Sequence, residues 1–493
     1  MNPRPPIPPG PFLVAGLGRA GTAAVHALSQ TVGPERVRAW DADTGAGMQR
    51  LRRQLESQHI STSLGRRPGR RDVWWAGTVV KSPGLPFQAS VIQRALAIGR
   101  EVMDELELGW RLSRAPILAV TGTNGKSTVS GLAASVLAAA GRAVQLAGNN
   151  EFGSALSGVS SASLDWIVCE VSSFQLEGCV QMLPELAVFT NLTPEHLGRH
   201  RTLERYGETK RRLFIREETA VARAVIDVDD PFGMGLAADV ERHGGVVTRV
   251  GFSAAADYRV ESAAWNLQQA RTCVSTPAGR ITLETTLPGR YNARNLAAAL
   301  AVSDLVGVER RISLPTIGAY IGVPGRFERI EAGQLFDVIV DMANTPDALE
   351  QLLKAIRTGM RPSGRLIAVF GLGGSPGTGL QTMGRLARGL SDHLILTTAG
   401  LRGSPPLLAL GSILGGARSV TGGKLEVVID RQRAIAAGVR AAAAGDVVVI
   451  PGRGSTISMR ADPRGEPVPF DDREVARALI VHSPPPLSAR SWS

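Results

Sequence analysis

Residues 121–128 constrain the fold of this chain more than any other segment. They read TGTNGKST, follow the apolar run Ile117–Val120 and precede a stretch rich in Ala and Leu. The sequence therefore predicts a buried strand, a glycine-rich turn and a helix start in direct succession. Backbone N–H groups of such a turn point at a bound anion, and the helix dipole adds to their attraction. We expect this segment to hold a phosphate group.

The side chains in this segment are of the types that handle a nucleoside triphosphate. Lys126 is placed to reach the β- and γ-phosphates, and the hydroxyl of Ser127 or Thr128 to ligate Mg²⁺. Val120 stands where the usual G-x-x-x-x-G-K-[ST] pattern has its first glycine, so the predicted loop is shorter than an ordinary P-loop. The residues expected to bind ATP here are Gly122, Thr123, Asn124, Gly125, Lys126, Ser127 and Thr128.

Strand-like apolar runs that end in polar turns recur along the 493 residues. Residues 12–21 read FLVAGLGRAG, and a second predicted strand ends at Asp41, a Rossmann-like arrangement with an acid roughly 20 residues after the glycines. Alternating strands and helices indicate an α/β fold with parallel sheets, whose ligands bind at the carboxyl ends of the strands. We predict a Rossmann-like domain at 11–113, a central P-loop NTPase-like domain at 114–324 and a C-terminal Rossmann-like domain at 325–480. Composition predicts a flexible leader at 1–10 and a flexible tail at 481–493.

Composition narrows the class of protein. The formal net charge is +11, but the basic residues are spread along the chain without dense runs or interleaved aromatics, so we expect no nucleic-acid partner. No run approaches the roughly 20 apolar residues of a membrane-spanning helix, and no secretory signal is recognised, so membrane insertion is not expected. The three cysteines have neither metal-ligand nor disulfide spacing. These features favour a cytoplasmic enzyme, which we expect to be a monomer.

Polar residues that follow two further predicted strands are candidates for the same site. Glu170 follows the strand Trp166–Cys169 and can hold Mg²⁺ beside the loop. His196 follows the strand Leu186–Phe189 in a polar cluster, whereas His200 is expected at the surface.

Lysine is rare in this chain, because five of the 55 basic residues are Lys and the rest are Arg. A retained Lys is therefore favoured where chemistry needs an amine that can lose its proton, or a compact point charge. Lys126 fits that description, and Lys210 is the second candidate. With Glu170 and His196, these two lysines are the predicted catalytic residues.

The motifs resemble those of the Mur ligases, the ATP-dependent amino-acid ligases of peptidoglycan precursor synthesis. The short TGTNGKST loop is similar to the nucleotide loop of that family, and residues 191–197, NLTPEHL, to its histidine motif. Residues 287–295, LPGRYNARN, resemble its adenine-side motif, and residues 324–328, PGRFE, the entry to its third domain. The resemblance implies that ATP is also contacted by Asn292, Asn295, Arg326 and Asp341.

Within the family, residues 170–177, EVSSFQLE, are similar to the member that adds glutamate to UDP-N-acetylmuramoyl-L-alanine. The resemblance implies a UDP-linked muramoyl substrate and a free amino acid as the two substrates besides ATP. The residues implied to contact the UDP-linked substrate are Gly18, Arg19, Ala20, Asp41, Ser82, Asn149, Ser172 and Gln175. The resemblance also implies that Lys210 is carbamylated and, with His196, holds a second Mg²⁺ beside the one at Ser127 and Glu170.

The third predicted domain resembles the glutamate-adding member least. Ala343 stands where that member has a lysine, and residues 371–377 and 451–456 lack its second lysine and its D-glutamate motif. Residues 341–347, DMANTPD, are instead similar to the next ligase of the pathway, although the diaminopimelate-recognition motif of that ligase is not visible. Addition of D-glutamate, L-glutamate or a different amino acid therefore stays open, as does a secondary pathway. A non-catalytic nucleotide-binding regulator and an NAD-dependent oxidoreductase are the alternatives from other classes.

Overall fold

The structure is a computed structural model that describes residues 4–65, 70–373, 378–400, 406–460 and 467–482. The chain forms two compact units. The first comprises the residues up to Glu261 with Val274–Ile281 and Arg294–Ile317, and the second comprises Ser262–Cys273, Thr282–Ala293 and the residues from Gly318 onward. The α/β fold class predicted from the sequence is confirmed. The expected tail lies, beyond residue 482, outside the described residues.

Five parallel strands form an N-terminal sheet in the first unit, in the order β3-β2-β1-β4-β5. The strands are β1 (Phe12–Ala15), β2 (Val37–Asp41), β3 (Ser61–Leu64), β4 (Thr78–Lys81) and β5 (Glu101–Asp104), and the helices are α1 (Arg19–Val32), α2 (Ala46–Ser57), α3 (Arg70–Trp75), α4 (Ser90–Ala97) and α5 (Glu105–Leu112). The central strand β1 is buried on both faces, with Phe12 and Val14 in one hydrophobic core and Leu13 and Ala15 in the other. The G-x-G-x-x-G turn follows this strand directly.

Residues 4–10 of the expected leader contact the first unit. Arg4 donates to the carbonyls of Ser113 at 2.8 Å and Ala115 at 2.9 Å, and it pairs with Glu185 at 3.0 Å. Ile7 packs against the core of the N-terminal sheet. Because a guanidinium satisfies these carbonyl oxygens, this part of the leader lies along the fold, which its proline content alone does not indicate.

The central sheet has nine strands in the order β16-β15-β14-β13-β12-β9-β6-β8-β7. They are β6 (Ile117–Thr121), β7 (Val144–Gly148), β8 (Trp166–Glu170), β9 (Leu186–Phe189), β12 (Arg223–Asp227), β13 (Val246–Gly251), β14 (Tyr258–Trp265), β15 (Ala270–Thr276) and β16 (Gly279–Thr285), while β10 (Ile215–Arg216) and β11 (Thr219–Ala220) form a separate hairpin. The helices are α6 (Lys126–Ala139), α7 (Ser173–Leu176), α8 (Leu197–His200), α9 (Leu203–Arg211), α10 (Pro231–Arg242), α11 (Arg290–Leu305) and α12 (Arg310–Gly318).

Strand β6 pairs in parallel with both β8 and β9, so the carboxyl ends of three strands meet at one edge of the central sheet. Val120 lies opposite Glu170, and Thr121 lies opposite Phe189. The glycine-rich turn, Glu170 and the polar segment after β9 therefore share that edge, where a parallel sheet binds its ligands.

The outer strands of the central sheet depart from the predicted pattern. Strands β14, β15 and β16 are neighbours in sequence order, joined by connections of a few residues. Such connections are too short for the helical crossover that joins parallel strands. The predicted parallel arrangement therefore holds for β6 to β9, β12, β13 and β14, which pairs in parallel with β13. The extension through β15 and β16 is an addition that the sequence pattern does not reveal.

The second unit contains a C-terminal sheet in the order β17-β18-β22-β19-β20-β21, in which β17 is antiparallel and the other pairs are parallel. Its elements are β17 (Glu328–Arg329), β18 (Asp337–Asp341), α13 (Pro346–Gly359), β19 (Leu366–Phe370), α14 (Thr378–Leu390), β20 (His393–Leu396), α15 (Pro406–Arg418), β21 (Lys424–Val427), α16 (Arg431–Ala441), β22 (Val447–Pro451), β23 (Ser458–Met459), β24 (Val468–Pro469) and α17 (Asp472–His482). Across the described ranges, no helix has both the length and the apolar character needed to cross a membrane.

Candidate active site

The turn after β6 is built around two glycines with positive φ. Gly122 has a φ of 148°, and Gly125, at the N-cap of α6, has a φ of 85°. A Cβ atom at Gly122 would lie 1.9 Å from the hydroxyl oxygen of Thr190, and one at Gly125 would lie 2.5 Å from the side-chain oxygen of Asn295. Backbone conformation and space both require glycine, so the turn can present bare N–H groups to a ligand.

Side chains that follow β9 hold this turn in place. The Asn191 side chain accepts from the N–H of Asn124 at 2.9 Å and donates to the Asn124 carbonyl at 3.1 Å. Thr190 donates to the same carbonyl at 2.6 Å, and the Thr123 hydroxyl accepts from the N–H of Thr193 at 3.0 Å. The protein thus fixes the cradle by itself. Sequence reasoning missed Thr190 and Asn191, although polar residues at the end of a strand beside β6 were the signal.

Ser127 and Glu170 come together at the edge of the sheet. The Ser127 hydroxyl donates to one carboxylate oxygen of Glu170 at 2.7 Å, and the Asn149 side chain donates to the other at 3.2 Å. A hydroxyl and a carboxylate are hard oxygen donors of the kind that Mg²⁺ prefers, so the pair fits this ion. In the part of the chain that the structure describes, no three His, Cys, Asp or Glu side chains form a metal-binding cluster. Phosphate oxygens would therefore supply further ligands, as is usual for Mg²⁺.

Two lysines converge on one carbonyl of the loop. The Lys126 ammonium donates to the carbonyls of Gly122 at 3.1 Å and Thr123 at 2.7 Å. Lys210, on α9, donates to the same Gly122 carbonyl at 2.7 Å and is only 1% exposed. Burial, together with the positive charge of Lys126, holds the pKa of Lys210 well below its usual range. The amine of Lys210 can therefore lose its proton, which an attack on CO₂ would require.

His196 lies at the N-cap of α8 with a left-handed backbone, at a φ of 55°. Its ring centroid is 4.6 Å from that of Phe174, and its Nε2 atom is 3.6 Å from a carboxylate oxygen of Glu195. Partial burial lowers the pKa of His196, and the charge of Glu195 opposes that shift. The side chain is 44% exposed. A largely neutral imidazole is thus available at the rim of the site.

His200 is buried, so the expectation that it lies at the surface is wrong. Its Nε2 atom is 2.9 Å from the hydroxyl oxygen of Ser173, and its ring centroid is 5.1 Å from that of Tyr206. The error arises because α8 is a single turn whose last residue points back into the protein.

Tyr206 is a buried site residue that sequence reasoning missed. The Lys210 nitrogen lies 4.4 Å from the centroid of its ring, and the Tyr206 hydroxyl is 3.4 Å from a carboxylate oxygen of Glu195. Burial raises the pKa of Tyr206, so the phenol stays protonated. Its place four residues before Lys210, one turn earlier on the same helix, was the available signal.

Two residues expected to contact the UDP-linked substrate are engaged within the protein. The Arg19 guanidinium donates to the carbonyls of Gly148 at 3.1 Å and Asn150 at 2.8 Å, which ties α1 to the segment after β7. Asp41 accepts from the N–H of Leu17 at 2.5 Å, which ties the end of β2 to the glycine-rich turn after β1. Substrate contacts of Arg19 and Asp41 stay predictions.

The remaining candidates in the N-terminal sheet border that glycine-rich turn. Gly18 is the N-cap of α1, and a Cβ atom there would meet no atom within 4 Å. Ala20 follows in the first turn of α1. The Ser82 N–H donates to the Ala15 carbonyl at 2.9 Å, and its Cβ leaves no space for a side chain at Gly16. The open surface at Gly18 leaves room for a ligand to approach the backbone.

Ser172 and Gln175 cap the short helix α7. The Gln175 side-chain oxygen accepts from the Ser172 N–H at 2.9 Å, and the Ser172 hydroxyl accepts from the Gln175 N–H at 3.4 Å. Gln175 is buried, whereas Asn149 is exposed. The structure therefore gives Gln175 a capping role, and its expected substrate contact stays a prediction.

The further residues expected to contact ATP belong to different units. Asn295 belongs to the first unit, beside Gly125, whereas Asn292, Arg326 and Asp341 belong to the second. The Asp341 carboxylate accepts from two backbone N–H groups at 2.7 Å, and burial raises its pKa. The Asn292 side chain donates to a backbone carbonyl at 2.8 Å.

Arg453 follows the last parallel strand of the C-terminal sheet and is buried. Its guanidinium donates to the carbonyls of Ala399 at 3.0 Å, Ser458 at 2.9 Å and Phe470 at 3.1 Å. These bonds fold the segment after β22 back onto the sheet. Arg453, which lies where a D-glutamate motif was expected, thus binds backbone carbonyls of the protein itself.

The parallel part of the central sheet has a strand, β6, that ends in a pre-formed anion cradle, with two lysines and a hydroxyl–carboxylate pair beside it. This arrangement defines a P-loop enzyme. Residues 120–303 match the Mur ligase middle domain, and residues 325–454 match the domain described as Mur ligase, glutamate ligase domain. The chain belongs to the Mur ligase family. It is accordingly an ATP-dependent amide ligase.

Two relatives give the scale of the similarity. The UDP-N-acetylmuramoyl-L-alanyl-D-glutamate–2,6-diaminopimelate ligase of Thermosynechococcus vestitus is 36% identical over 391 residues, which are 74% of this chain and 76% of the relative. The enzyme of the same name from Gloeobacter violaceus is 36% identical over 386 residues, 73% of this chain and 76% of the relative.

Solved structures carry the same fold. A diaminopimelate ligase of that name is 25% identical, with a TM-score of 0.53 over 82% of this chain and 92% of the other. The UDP-N-acetylmuramate–alanine ligase of Thermotoga maritima is 17% identical, with a TM-score of 0.60 over 96% of this chain and 98% of the other.

The family resemblance is confirmed, but the closer likeness to the glutamate-adding member is wrong. The relatives from Thermosynechococcus vestitus and Gloeobacter violaceus are both named for diaminopimelate. The expectation rested on residues 170–177, which lie at the edge of the central sheet and cap α7. Those eight residues do not report on the C-terminal sheet, where the sequence already resembled a different member.

Proposed function

We propose that this enzyme joins an amino acid other than D-glutamate to the terminal carboxylate of a UDP-linked muramoyl peptide. One observation carries the proposal, namely the convergence of Lys126, Lys210 and the Ser127–Glu170 pair on the loop after β6. Such a constellation serves phosphoryl transfer to an anionic acceptor, because positioning and charge neutralisation do most of the catalytic work.

The reaction that fits this constellation has two steps. A carboxylate oxygen of the acceptor attacks the γ-phosphorus of ATP, the bond to the bridging oxygen breaks, and ADP leaves. The amino group of the incoming amino acid then attacks the carbonyl carbon of the acyl phosphate, loses a proton and displaces phosphate. The loop N–H groups and Lys126 would bind the transferred phosphoryl group in both steps.

Mg²⁺ would be held by Ser127 and Glu170, and it would supply charge neutralisation on the phosphate oxygens. We further propose a second ion at His196 and Lys210. This ion requires a carbamylated Lys210, because an ammonium does not ligate a metal. The lowered pKa of Lys210 supports it, because only a neutral amine can take up CO₂ to become a carbamate with oxygen donors.

The first candidate for the amino acid is 2,6-diaminopimelate, with UDP-N-acetylmuramoyl-L-alanyl-D-glutamate as its acceptor. The names of the relatives support this pair. Two features also speak against D-glutamate as the incoming amino acid. Ala343 provides no cation after β18, and the Arg453 guanidinium is used by backbone carbonyls. The family assignment favours a ligase over the oxidoreductase and the regulator.

A screen of amino-acid-dependent ADP release tests the proposal. UDP-N-acetylmuramoyl-L-alanine and UDP-N-acetylmuramoyl-L-alanyl-D-glutamate are each offered with diaminopimelate, L-lysine, D-glutamate and L-glutamate. We expect release with the dipeptide acceptor and diaminopimelate. Release only with D-glutamate as the amino acid would overturn the proposal. In the Lys126→Ala variant we expect the rate to fall about a hundredfold or more, whereas Lys354→Ala, at an exposed surface lysine, should match the parent enzyme.

A further inference from the structure

Helix α8 is a single turn bounded by two residues with left-handed backbones. His196, at its N-cap, has a φ of 55°, and Arg201, at its C-cap, has a φ of 72°. A positive φ is unfavourable for a residue other than glycine and persists only where its surroundings hold it. Because one turn of helix cannot supply that support, side-chain contacts must hold His196 in place.

Arg199, three residues after His196, is itself held in place by a salt bridge. Its guanidinium forms a bidentate pair with Glu177, with Nε and Nη2 at 2.8 and 2.6 Å from the two carboxylate oxygens. Both side chains are about 85% buried, with 14% and 15% exposed. A fork of two charge-assisted hydrogen bonds in a partly dry place fixes direction as well as distance. Lysine, with one ammonium, cannot reproduce it.

The same guanidinium lies against Phe174, which in turn contacts the imidazole of His196. The Arg199 Cζ atom is 4.0 Å from the centroid of the Phe174 ring, and the His196 ring centroid is 4.6 Å from it. The backbone N–H of Arg199 also donates to the His196 carbonyl at 2.9 Å. The side chain of Arg199 therefore supports the ring of His196 through Phe174.

Arg199 also contacts the turn that follows β4 of the N-terminal sheet. Its Nη2 atom donates to the Leu85 carbonyl at 3.2 Å. Leu85 closes a turn in which its N–H donates to the Ser82 carbonyl at 3.0 Å, and Ser82 is bonded to β1 beside the glycine-rich turn. One side chain thus connects the turn Ser82–Leu85, where the UDP-linked acceptor is expected, with the histidine at the rim of the ATP site.

We propose that Arg199 is a positioning residue that couples the acceptor turn Ser82–Leu85 to the orientation of His196. The proposal rests on the proposed function, because it assigns the acceptor to that turn. A charged side chain that only stabilised the fold would need the Glu177 pair alone. The added bond to Leu85 and the shared contact with Phe174 give Arg199 a link to both substrate sites.

The test compares Arg199→Lys with Arg201→Lys, a change of the same kind at an exposed arginine of the same turn. In Arg199→Lys we expect kcat to fall about tenfold and KM for the UDP-linked acceptor to rise several-fold, with KM for ATP within about twofold. Arg201→Lys should match the parent enzyme. Adding guanidinium ion to Arg199→Ala should restore part of the lost rate, which a general loss of stability would not allow.

A second measurement does not depend on turnover. With ¹⁵N-labelled histidine, assigned through His196→Gln, acceptor binding should shift the His196 ring signals in the parent and in Arg201→Lys. The shift should be absent in Arg199→Lys. An equal shift in all three proteins, or a loss of thermal stability with unchanged kcat and KM, refutes the coupling. If the parent enzyme turns over no UDP-linked acceptor at all, the proposed function fails instead, so the two failures are distinct.

Discussion

The five lysines of this chain show how surroundings separate a chemical role from a solvated charge. Lys354 and Lys424 are exposed and pair with surface glutamates. Lys126 and Lys210 donate to the loop after β6, and Lys210 is buried. Lys81 is also fully buried, in a 2.7 Å ion pair. In a chain that uses arginine for most of its cations, a lysine thus indicates a position that needs a compact charge or an amine that can lose its proton. The rarity of lysine does not distinguish between these two roles.

Replacement of Lys210 tests the need for a neutral amine. Lys210→Ala should lose most of its ligase activity, and short carboxylates such as acetate should restore part of it by placing carboxylate oxygens where a carbamate would lie. Lys210→Arg should not be rescued, because a guanidinium stays charged and fills the space. The measurement is the ADP-release rate against carboxylate concentration, with Lys354→Ala as the matched surface control. A rate that is the same in Lys210→Ala and the parent would exclude a role for this amine.

At the scale of elements, the strand–turn–helix at the ATP site needs glycine for two separable reasons. Gly122 has both a positive φ and a neighbouring hydroxyl in the space of its Cβ. Gly141, just after α6, has a φ of 75° with no atom within 4 Å of its Cβ position. Gly122 lies in the turn before α6, and Gly141 lies just after that helix. Substitutions at these two glycines can therefore distinguish the effect of crowding from that of backbone strain.

Alanine at each position should give different results. Gly141→Ala should cost roughly 1 kcal/mol of unfolding free energy and leave ADP binding unchanged. Gly122→Ala should displace Thr190 and weaken ADP binding at least about tenfold, since the N–H cradle is distorted. Calorimetric titration with ADP and thermal unfolding measure both. Equal losses of ADP affinity in the two variants would show that strain alone explains the glycine.

The sequence predicts elements of this kind well where local pattern and burial agree. Strand β9 has the predicted bounds, Leu186–Phe189, because it is a short apolar run closed by a turn. Strand β21 offers no such apolar run, since its side chains are half-buried or exposed. Strands β14 to β16 were missed for the same reason, because they alternate between buried and exposed residues and lack the continuous apolar pattern of β6.

The site was predictable in its residue types and less so in its contacts. Lys126 and Glu170 were predicted from motifs and Lys210 from the scarcity of lysine, because in each case a single residue type carries the signal. Arg199 carried no signal, since arginine is common in this chain and its side-chain contacts come from two distant segments, one around α7 and one at Leu85. The capping of α7 by Gln175 is likewise visible only in three dimensions.

At the scale of the whole molecule, α5 joins the N-terminal and central sheets within the first unit. Glu107 accepts from the N–H groups of Val180 at 3.1 Å and Met182 at 2.9 Å, so its carboxylate is well satisfied. Glu105 accepts from the N–H of Ser157 at 2.7 Å, but its second oxygen is buried without a hydrogen-bond partner. Burial raises the pKa of Glu105 to about 7. A single carboxyl at this junction therefore makes stability depend on pH.

The direction of this dependence follows from proton counting. Between pH 4.5, the ordinary pKa, and about pH 7, the folded protein keeps a proton on Glu105 that the unfolded chain has lost. The contribution of Glu105 to the free energy of unfolding should therefore fall as pH rises through that window, by about 3 kcal/mol. Glu105→Gln removes the titrating group and should flatten the curve, so that it is more stable than the parent at pH 8 and similar at pH 5. Glu107→Gln, on the same helix, should lower stability at both pH values, because it weakens bonds that are already made. Urea unfolding of the three proteins at pH 5 and pH 8 measures the differences, and parallel pH curves for the parent and Glu105→Gln would contradict the assignment of this pH dependence to Glu105.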